Sequence, residues 1–183
     1  MAVTVRNPVE LTLERYFELV RQYPGKKFTF NSRGEIVEMA PSWLHSRKQA
    51  RVAVLLAAWL DAGGLPGYDV GTEALHDLDG WFCQPDVAVQ RIGADPGVPT
   101  EAPLLAVEVH SRSNTRSELE AKAARYLQQG TSMVWLLYPR TGTLVLHVAG
   151  SPPKTLGGDD VIEGGEVLPD LRVPVSDIFS DAS

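Results

Sequence analysis

Apolar and polar residues alternate along this chain in segments whose spacing switches between that of helices and that of strands. Residues 11–25 place Leu13, Phe17 and Val20 at helical spacing before a Pro-Gly stop. Residues 27–39 form two alternating runs joined by an NSRG turn, which is typical of a β-hairpin. The pattern therefore predicts an N-terminal helix followed by a hairpin.

The longest predicted helix covers residues 45–64 and ends at two glycines. Its apolar face consists of Val52, Leu55, Leu56 and Trp59. Residues 68–90 contain short extended pieces with a turn at Asp79-Gly80, which predicts more antiparallel sheet.

The second half of the chain alternates strands with one helix. Residues 91–103 are predicted to be a loop, 104–111 a strand, 117–130 a helix, 133–139 and 143–149 two strands, and 157–179 a region with short strands at best. Ser117 and Glu120 are predicted to open the helix as a capping box, and Gly130 to close it. This order of elements indicates one mixed α/β or α+β domain over residues 1–183.

Composition narrows the class of protein. The chain has 183 residues, 44% of them hydrophobic, which is typical of a globular protein, and a formal net charge of -6, which argues against non-specific nucleic-acid binding. One cysteine, Cys83, excludes an internal disulfide and a multi-cysteine metal site. No segment is apolar over the roughly 20 residues that a membrane helix needs. We therefore expect a cytoplasmic protein without a membrane anchor.

Two carboxylates lie inside apolar strands. Asp86 shares one side of its strand with Ala88, and Glu108 shares one side of the next strand with Ala106 and His110. Two carboxylates on neighbouring strands repel each other unless a positive charge lies between them. Oxygen ligands favour Mg²⁺ or Mn²⁺, so the pattern predicts a divalent-cation site. A turn at Pro-Asp, or a Glu paired with an arginine at a sheet edge, would explain each residue without chemistry.

Lys122 is the third candidate. It lies at the rim of the apolar face that Leu119 and Tyr126 form on the predicted helix, so it can reach over the end of the preceding strand. The alternative is a surface salt bridge to Glu118 at i,i+4, which would stabilise the helix by only a few tenths of a kcal/mol. The two interpretations are compatible.

The order of a Pro-Asp pair and a strand-borne Glu 22 residues later (108 − 86) resembles the PD-(D/E)XK nuclease superfamily. Within that superfamily the chain resembles the Uma-two family of restriction-endonuclease-like domains. Five stretches in order carry the resemblance, from about residue 10 to residue 179: GEIVEMAPSWLHSR, QPDVAVQ, LLAVEVHSRSN, KAARYLQQGTSMVWLLYP and EVLPDLRVPVSDIF.

The resemblance implies a restriction-endonuclease-like mixed sheet flanked by helices, with Mg²⁺- or Mn²⁺-dependent hydrolysis of phosphodiester bonds in DNA. It implies that Asp86, Glu108 and the backbone carbonyl of Val109 bind the metal. In the superfamily the lysine lies two residues after the second acid, where this chain has His110. In the Uma-two family a lysine on the following helix replaces it, and Lys122 matches that lysine. A homodimer is expected, since many such enzymes cut two strands with two subunits.

Further positions match the family in part. His45 is expected to contact DNA phosphate or a site acid, or else to cap its helix; Glu73 matches a frequent acid of unassigned role. For His110, a hydrogen bond to Glu108 and a contact with substrate phosphate both stay open. Basic residues that could border the site are Arg112 and Arg116 after Glu108, and Arg47, Lys48 and Arg51 on the long helix; solvated surface charge is the alternative.

One departure favours a second function. The family commonly carries an acid where this chain has Thr29, and nearby Glu35 and Glu38 are the residues that could replace it. Together with the acidic net charge, this allows a catalytically inactive nuclease fold that acts in binding or assembly.

Overall fold

The computed structural model describes residues 13–39, 41–93, 97–111 and 114–180. Within these residues the helices are α1 (Leu13–Gln22), α2 (Trp43–Asp61), α3 (Arg116–Gln128) and α4 (Val175–Phe179). The strands are β1 (Lys27–Phe30), β2 (Ile36–Met39), β3 (Tyr68–Thr72), β4 (His76–Leu78), β5 (Trp81–Cys83), β6 (Val87–Arg91), β7 (Leu105–Val109), β8 (Met133–Tyr138), β9 (Thr143–Val148), β10 (Lys154–Gly157), β11 (Val161–Glu163) and β12 (Arg172–Pro174).

A mixed sheet of six strands, in the order β10-β9-β8-β7-β6-β3, forms the centre of the protein. Strands β7 and β8 are parallel and α3 connects them; the other neighbours are antiparallel. Every residue of β7 and β8 is buried, as expected for strands covered on both faces. The predicted mixed sheet flanked by helices is confirmed.

Helices α2 and α3 pack on opposite faces of this sheet. Val52 and Leu56 of α2 belong to a core cluster with Val107 and the other β7 residues that point to the same face of the sheet. Leu119 and Ala123 of α3 belong to a second cluster on the other face. The alternation of side chains along β6 and β7 separates the two clusters, so the predicted assignment of faces is confirmed.

Small elements complete the fold. The predicted N-terminal hairpin is β1-β2, and β4-β5 and β11-β12 are two further two-stranded sheets. The C-terminal region holds short strands as predicted, but also the helix α4, whose Val175 and Ile178 are buried in the first core cluster. Its five residues are too few for an amphipathic period to be recognised in the sequence.

Two predicted details were wrong. In α1, Phe17 and Val20 are 43% and 39% exposed, whereas Leu19 is buried, so the helix packs through a different stripe. The N-cap of helix α3 lies two residues earlier than predicted, at Thr115 instead of Ser117, with Glu118 as the reciprocal partner of the capping box. The side chain of Glu120, the predicted partner, instead lies 3.2 Å from His147 Nε2.

In the parts of the chain that the structure describes, no helix combines the length and the apolar character needed to cross a membrane. The longest helix, α2, has 19 residues but carries charged residues along its first half.

Candidate active site

Asp86 and Glu108 face each other across the pairing of β6 with β7. The register aligns Val87 with Val107 and Ala88 with Ala106. Extended by one residue, it places Asp86, which directly precedes β6, opposite Glu108. Both carboxylates are buried, with 6% and 4% exposure. The two aligned alanines are themselves buried, at 2% and 0% exposure, and neither lines the cleft that both acids border.

Asp86 is held by backbone and side-chain partners. Its Oδ2 accepts a hydrogen bond of 2.6 Å from the backbone N–H of Val109. Its Oδ1 lies 3.2 Å from Nε2 of His45, which reaches it from the start of α2, although the ring is not aligned for a hydrogen bond. Gln49 Nε2 donates to the Asp86 carbonyl over 3.0 Å. His45 therefore contacts a site acid, which is one of the roles expected for it.

Glu108 is held from α3. Lys122 Nζ lies 2.6 Å from Glu108 Oε1, and the hydroxyl of Tyr126 donates to the same oxygen over 2.9 Å. Lys122 is only 7% exposed and is not paired with Glu118, whose carboxylate instead accepts from the Thr115 N–H over 2.7 Å. Lys122 therefore reaches over the end of the preceding strand, as predicted, and does not form the alternative surface salt bridge with Glu118.

Burial and charge shift the pKa values in this group. Burial raises the pKa of Glu108 to about 7, while the Lys122 ammonium opposes the rise and the Asp86 carboxylate adds to it. Burial works to lower the pKa of His45, but the carboxylates of Asp86 and, beyond it, Glu108 outweigh it, so that pKa is raised. The centre therefore contains two acids in repulsion, balanced by a lysine and a histidine.

The oxygen atoms around this centre fit a hard divalent cation. Glu108 Oε2 makes no hydrogen bond to any described residue, and both acids line one cleft with His45 and Lys122. Val109 points its N–H at Asp86, so its carbonyl faces the same edge of β7, since both groups of a strand residue point one way. Among the described residues no group of three or more His, Cys, Asp or Glu could hold a metal, so the oxygen atoms offered to a cation here are those of two carboxylates and one carbonyl.

The hairpin β1-β2 forms one wall of the cleft. Thr29 and Glu38 line it. Glu38 also pairs with Lys26 over 2.8 Å near the surface, so it borders the cleft without being buried in it. Glu35 is held away in the hairpin turn, where its carboxylate accepts from Asn31 and Arg33. Of the two acids considered as replacements at the position of Thr29, only Glu38 lies at the cleft.

Glu73 lies beside the same centre in a second, adjoining pocket that Asp86 also lines. Its backbone φ of 53° is left-handed, a conformation that costs free energy for a residue with a Cβ. Its carboxylate contacts Lys27 Nζ and Gln49 Nε2, each over 3.3 Å. Gln49 thus joins Glu73 to the Asp86 backbone.

His110 and Arg116 lie to the other side, around Tyr138. The His110 ring packs on the Tyr138 ring with centroids 5.5 Å apart and forms no hydrogen bond with Glu108. The Arg116 guanidinium lies over the same ring at 4.9 Å. Burial and the charge of Arg140 lower the pKa of His110. Arg112 lies outside the described residues.

The basic residues of α2 divide into two kinds. Lys48 is 2% exposed and donates to the Phe179 carbonyl over 2.8 Å, so it anchors the end of α4 and has neither of the two roles considered for it, a border of the site or solvated surface charge. Arg51 is exposed and Arg47 is half-buried.

Two residues of this group, Tyr126 and Gln49, were not predicted from the sequence. Tyr126 was assigned to the apolar stripe, where its ring does lie. Its position one helical turn after Lys122 was the available signal, since residues at i,i+4 project on the same face. For Gln49 no signal was available, because its partner is a backbone carbonyl 37 residues away in sequence.

The chain matches the model of the Uma2 family, described as "Putative restriction endonuclease", over residues 13–176. Its fold is similar to that of a crystal structure described as "a putative nuclease belonging to DUF820 from Anabaena variabilis", with a TM-score of 0.75. That match has 16% sequence identity and covers 92% of this chain and 97% of the other. No curated protein matches the chain.

Proposed function

Because the chain belongs to the Uma2 family, we propose that it is a metal-dependent nuclease that hydrolyses phosphodiester bonds of DNA. The observation that supports this most strongly is the group of Asp86, Glu108 and Lys122 in one cleft. A buried pair of facing carboxylates is costly to maintain, and a lysine 2.6 Å from one of them offsets only part of the charge. Such sites are frequent where a protein performs chemistry.

The residues that would hold Mg²⁺ or Mn²⁺ are Asp86, Glu108 and Val109, the last through its carbonyl. When bound, the cation would polarise the phosphoryl oxygen and favour ionisation of water. His45 Nε2 lies 3.2 Å from Asp86 Oδ1 and Lys122 Nζ lies 2.6 Å from Glu108 Oε1, so each acid has one basic neighbour. Both carboxylates must be ionised to bind a cation, which for Glu108 means a pH near or above its raised pKa of about 7.

Lys122 would act on the reacting atoms. An ammonium has three N–H donors, and here Glu108 Oε1 and the Gln84 carbonyl, at 3.4 Å, take two of them. The remaining donor can orient the attacking water or stabilise charge on the phosphoryl oxygens in the transition state. Lys122 lines the same cleft as both acids, which supports this role.

Substrate contacts would come from the loop between β7 and α3 and from the first residue of α3. Arg116 and Arg112 are proposed to contact DNA phosphates, with His110 beside them; Glu73 and His45 are proposed to support the acids. A homodimer is proposed for cutting both strands. Sedimentation velocity with and without duplex DNA tests that state.

Plasmid cleavage tests the proposed activity. Supercoiled DNA is incubated with the protein and Mg²⁺ or Mn²⁺, and Asp86→Asn, Glu108→Gln and Lys122→Met are compared with wild type. Loss of one such group is expected to lower the rate by about 10² or more. Glu163→Gln is the matched control, because Glu163 pairs with Arg172 on an exposed surface over 2.8 Å. This variant should cleave DNA like wild type. Cleavage that survives all three site changes would refute the proposal.

One observation favours binding without cleavage as a second candidate. Lys122 and His45 each lie against one of the acids, so protein cations partly balance the centre. A protein of this kind would bind DNA or a partner without cutting it. Retained binding of duplex DNA in an electrophoretic shift assay, with no cleavage in either metal, would support this alternative.

A further inference from the structure

Two donors from one face of α3 meet at a single oxygen atom. Lys122 Nζ and the Tyr126 hydroxyl lie 2.6 Å and 2.9 Å from Glu108 Oε1. The two residues are one helical turn apart, so the helix presents both donors in the same direction. Glu108 belongs to the neighbouring strand β7, and the contact joins the helix to the sheet at the candidate metal site.

The two contacts leave the other carboxylate oxygen available. An ionised carboxylate has about four lone-pair sites, two on each oxygen, and the Lys122 ion pair and the Tyr126 hydrogen bond occupy those of Oε1. Glu108 Oε2 has no hydrogen-bond partner among the described residues. The side chain is therefore held in one rotation, with Oε1 turned to α3 and Oε2 left as the ligand atom.

Tyr126 itself is rigid. Its side chain is fully buried, and its ring packs edge-on against Trp81 with centroids 4.9 Å apart. Because this packing involves the ring and not the hydroxyl, the hydroxyl is fixed in position by contacts that do not depend on the metal.

We propose that Tyr126 is a positioning residue for the metal site: its hydroxyl, with Lys122, holds Glu108 Oε1 so that Oε2 binds the divalent cation. The inference rests on the proposed function, since it concerns the same site. It assigns a role to a residue that composition and periodicity indicate only as part of the core. Hydrogen bonds of this kind to a metal ligand raise metal affinity or activity by about 10- to 100-fold.

Metal binding without substrate tests the inference. Mn²⁺ is titrated into wild type, Tyr126→Phe and Tyr138→Phe by isothermal titration calorimetry at pH 8. Tyr138→Phe is the matched control. The Tyr138 hydroxyl contacts Glu120 of α3 over 3.5 Å, away from the two acids. We expect Tyr126→Phe to bind Mn²⁺ about tenfold or more weakly and Tyr138→Phe to bind like wild type.

The outcomes separate the inference from the proposed function. If wild type binds Mn²⁺ and Tyr126→Phe binds it equally well, the role of Tyr126 is refuted and the metal site stands. If wild type binds no Mn²⁺, the metal site fails and the inference fails with it.

Should Tyr126→Phe not fold, the wild-type hydroxyl proton decides the question. Its NMR signal, identified through ring contacts to Trp81, should be protected from solvent exchange both before and after Mg²⁺ is added. Disappearance of the protected signal on Mg²⁺ binding would show that the hydroxyl leaves Glu108, and would overturn the inference.

Discussion

Lys122 Nζ lies 2.6 Å from Glu108 Oε1, and both side chains are more than nine-tenths buried. Removing two charges from water costs free energy that their attraction barely restores, so such a pair is a poor means of stabilising a fold. Removing one partner alone is more costly, because the other charge is then buried without compensation. Under the proposed function, stability and activity would therefore depend on the same two residues.

Lys122→Met should destabilise the metal-free protein, and more so as the pH rises above about 7. In wild type the lysine opposes the rise of the Glu108 pKa, which burial brings to about 7. Without the lysine the pKa of Glu108 rises further. At high pH the folded variant must therefore either keep Glu108 protonated or bury its negative charge without a partner. The loss should reach up to about 3 kcal/mol in urea unfolding at pH 8 to 9. Lys154→Met, at an exposed strand position, should change stability by less than about 0.5 kcal/mol. An equal loss at pH 6 and pH 9 would contradict this.

Glu108 should make the metal-free protein less stable between about pH 4.5 and pH 7. Burial raises its pKa from the ordinary 4.5 to about 7, so in this window the folded state holds a proton that the unfolded state has released. Stability then falls as pH rises, by at most about 1.4 kcal/mol per pH unit. In EDTA, the unfolding free energy of wild type minus that of Glu108→Gln should decrease across this window. A difference that is constant or increases with pH would refute the raised pKa of the buried Glu108 carboxyl.

His110→Ala should harm DNA cleavage less than Lys122→Ala does. The His110 ring packs on Tyr138 and makes no hydrogen bond to Glu108, whereas Lys122 touches that carboxylate directly. We expect a loss of less than about tenfold for His110→Ala against about 10² or more for Lys122→Ala. Initial rates of plasmid nicking measure both. A larger loss for His110→Ala would show that the role proposed for Lys122 belongs to His110 instead.

Cys83 should not react with thiol reagents in the folded protein. It is fully buried, and burial raises the pKa of its thiol to about 12, so almost no thiolate is present at pH 8. Iodoacetamide followed by mass spectrometry should give labelling only in urea. Rapid labelling of the native protein would contradict the burial of this residue beneath the site.

The site was predictable where its residues share one strand or one helix, and less so where they meet across elements. Alternation placed Asp86 and Glu108 on matching sides of two strands, and helical spacing placed Lys122 at the rim of its helix. The contact of His45 with Asp86 was one of three expected roles. Gln49 could not be found, because a side chain that bonds a distant carbonyl leaves no periodic trace.

Local signals failed where two of them competed. The segment from Thr115 to Glu120 contains two overlapping capping-box patterns, and the structure uses the first. In the second pattern Glu120 instead lies beside His147 of β9, a tertiary contact that the sequence does not reveal. Lys48 was misplaced for a related reason: a lysine on an amphipathic helix is usually solvated, but here the carbonyl at the end of α4 receives it.

Titration of Mg²⁺ into wild type and Asp86→Asn, followed by calorimetry and thermal unfolding at pH 8, tests the central claim most directly. If Asp86 and Glu108 hold a divalent cation, wild type binds Mg²⁺ and gains stability by mass action, by about 2.7 kcal/mol at a hundredfold excess over the dissociation constant. Asp86→Asn should bind at least about tenfold more weakly, while Glu163→Gln matches wild type. Absence of Mg²⁺ binding by wild type, or equal binding by Asp86→Asn, would contradict the account.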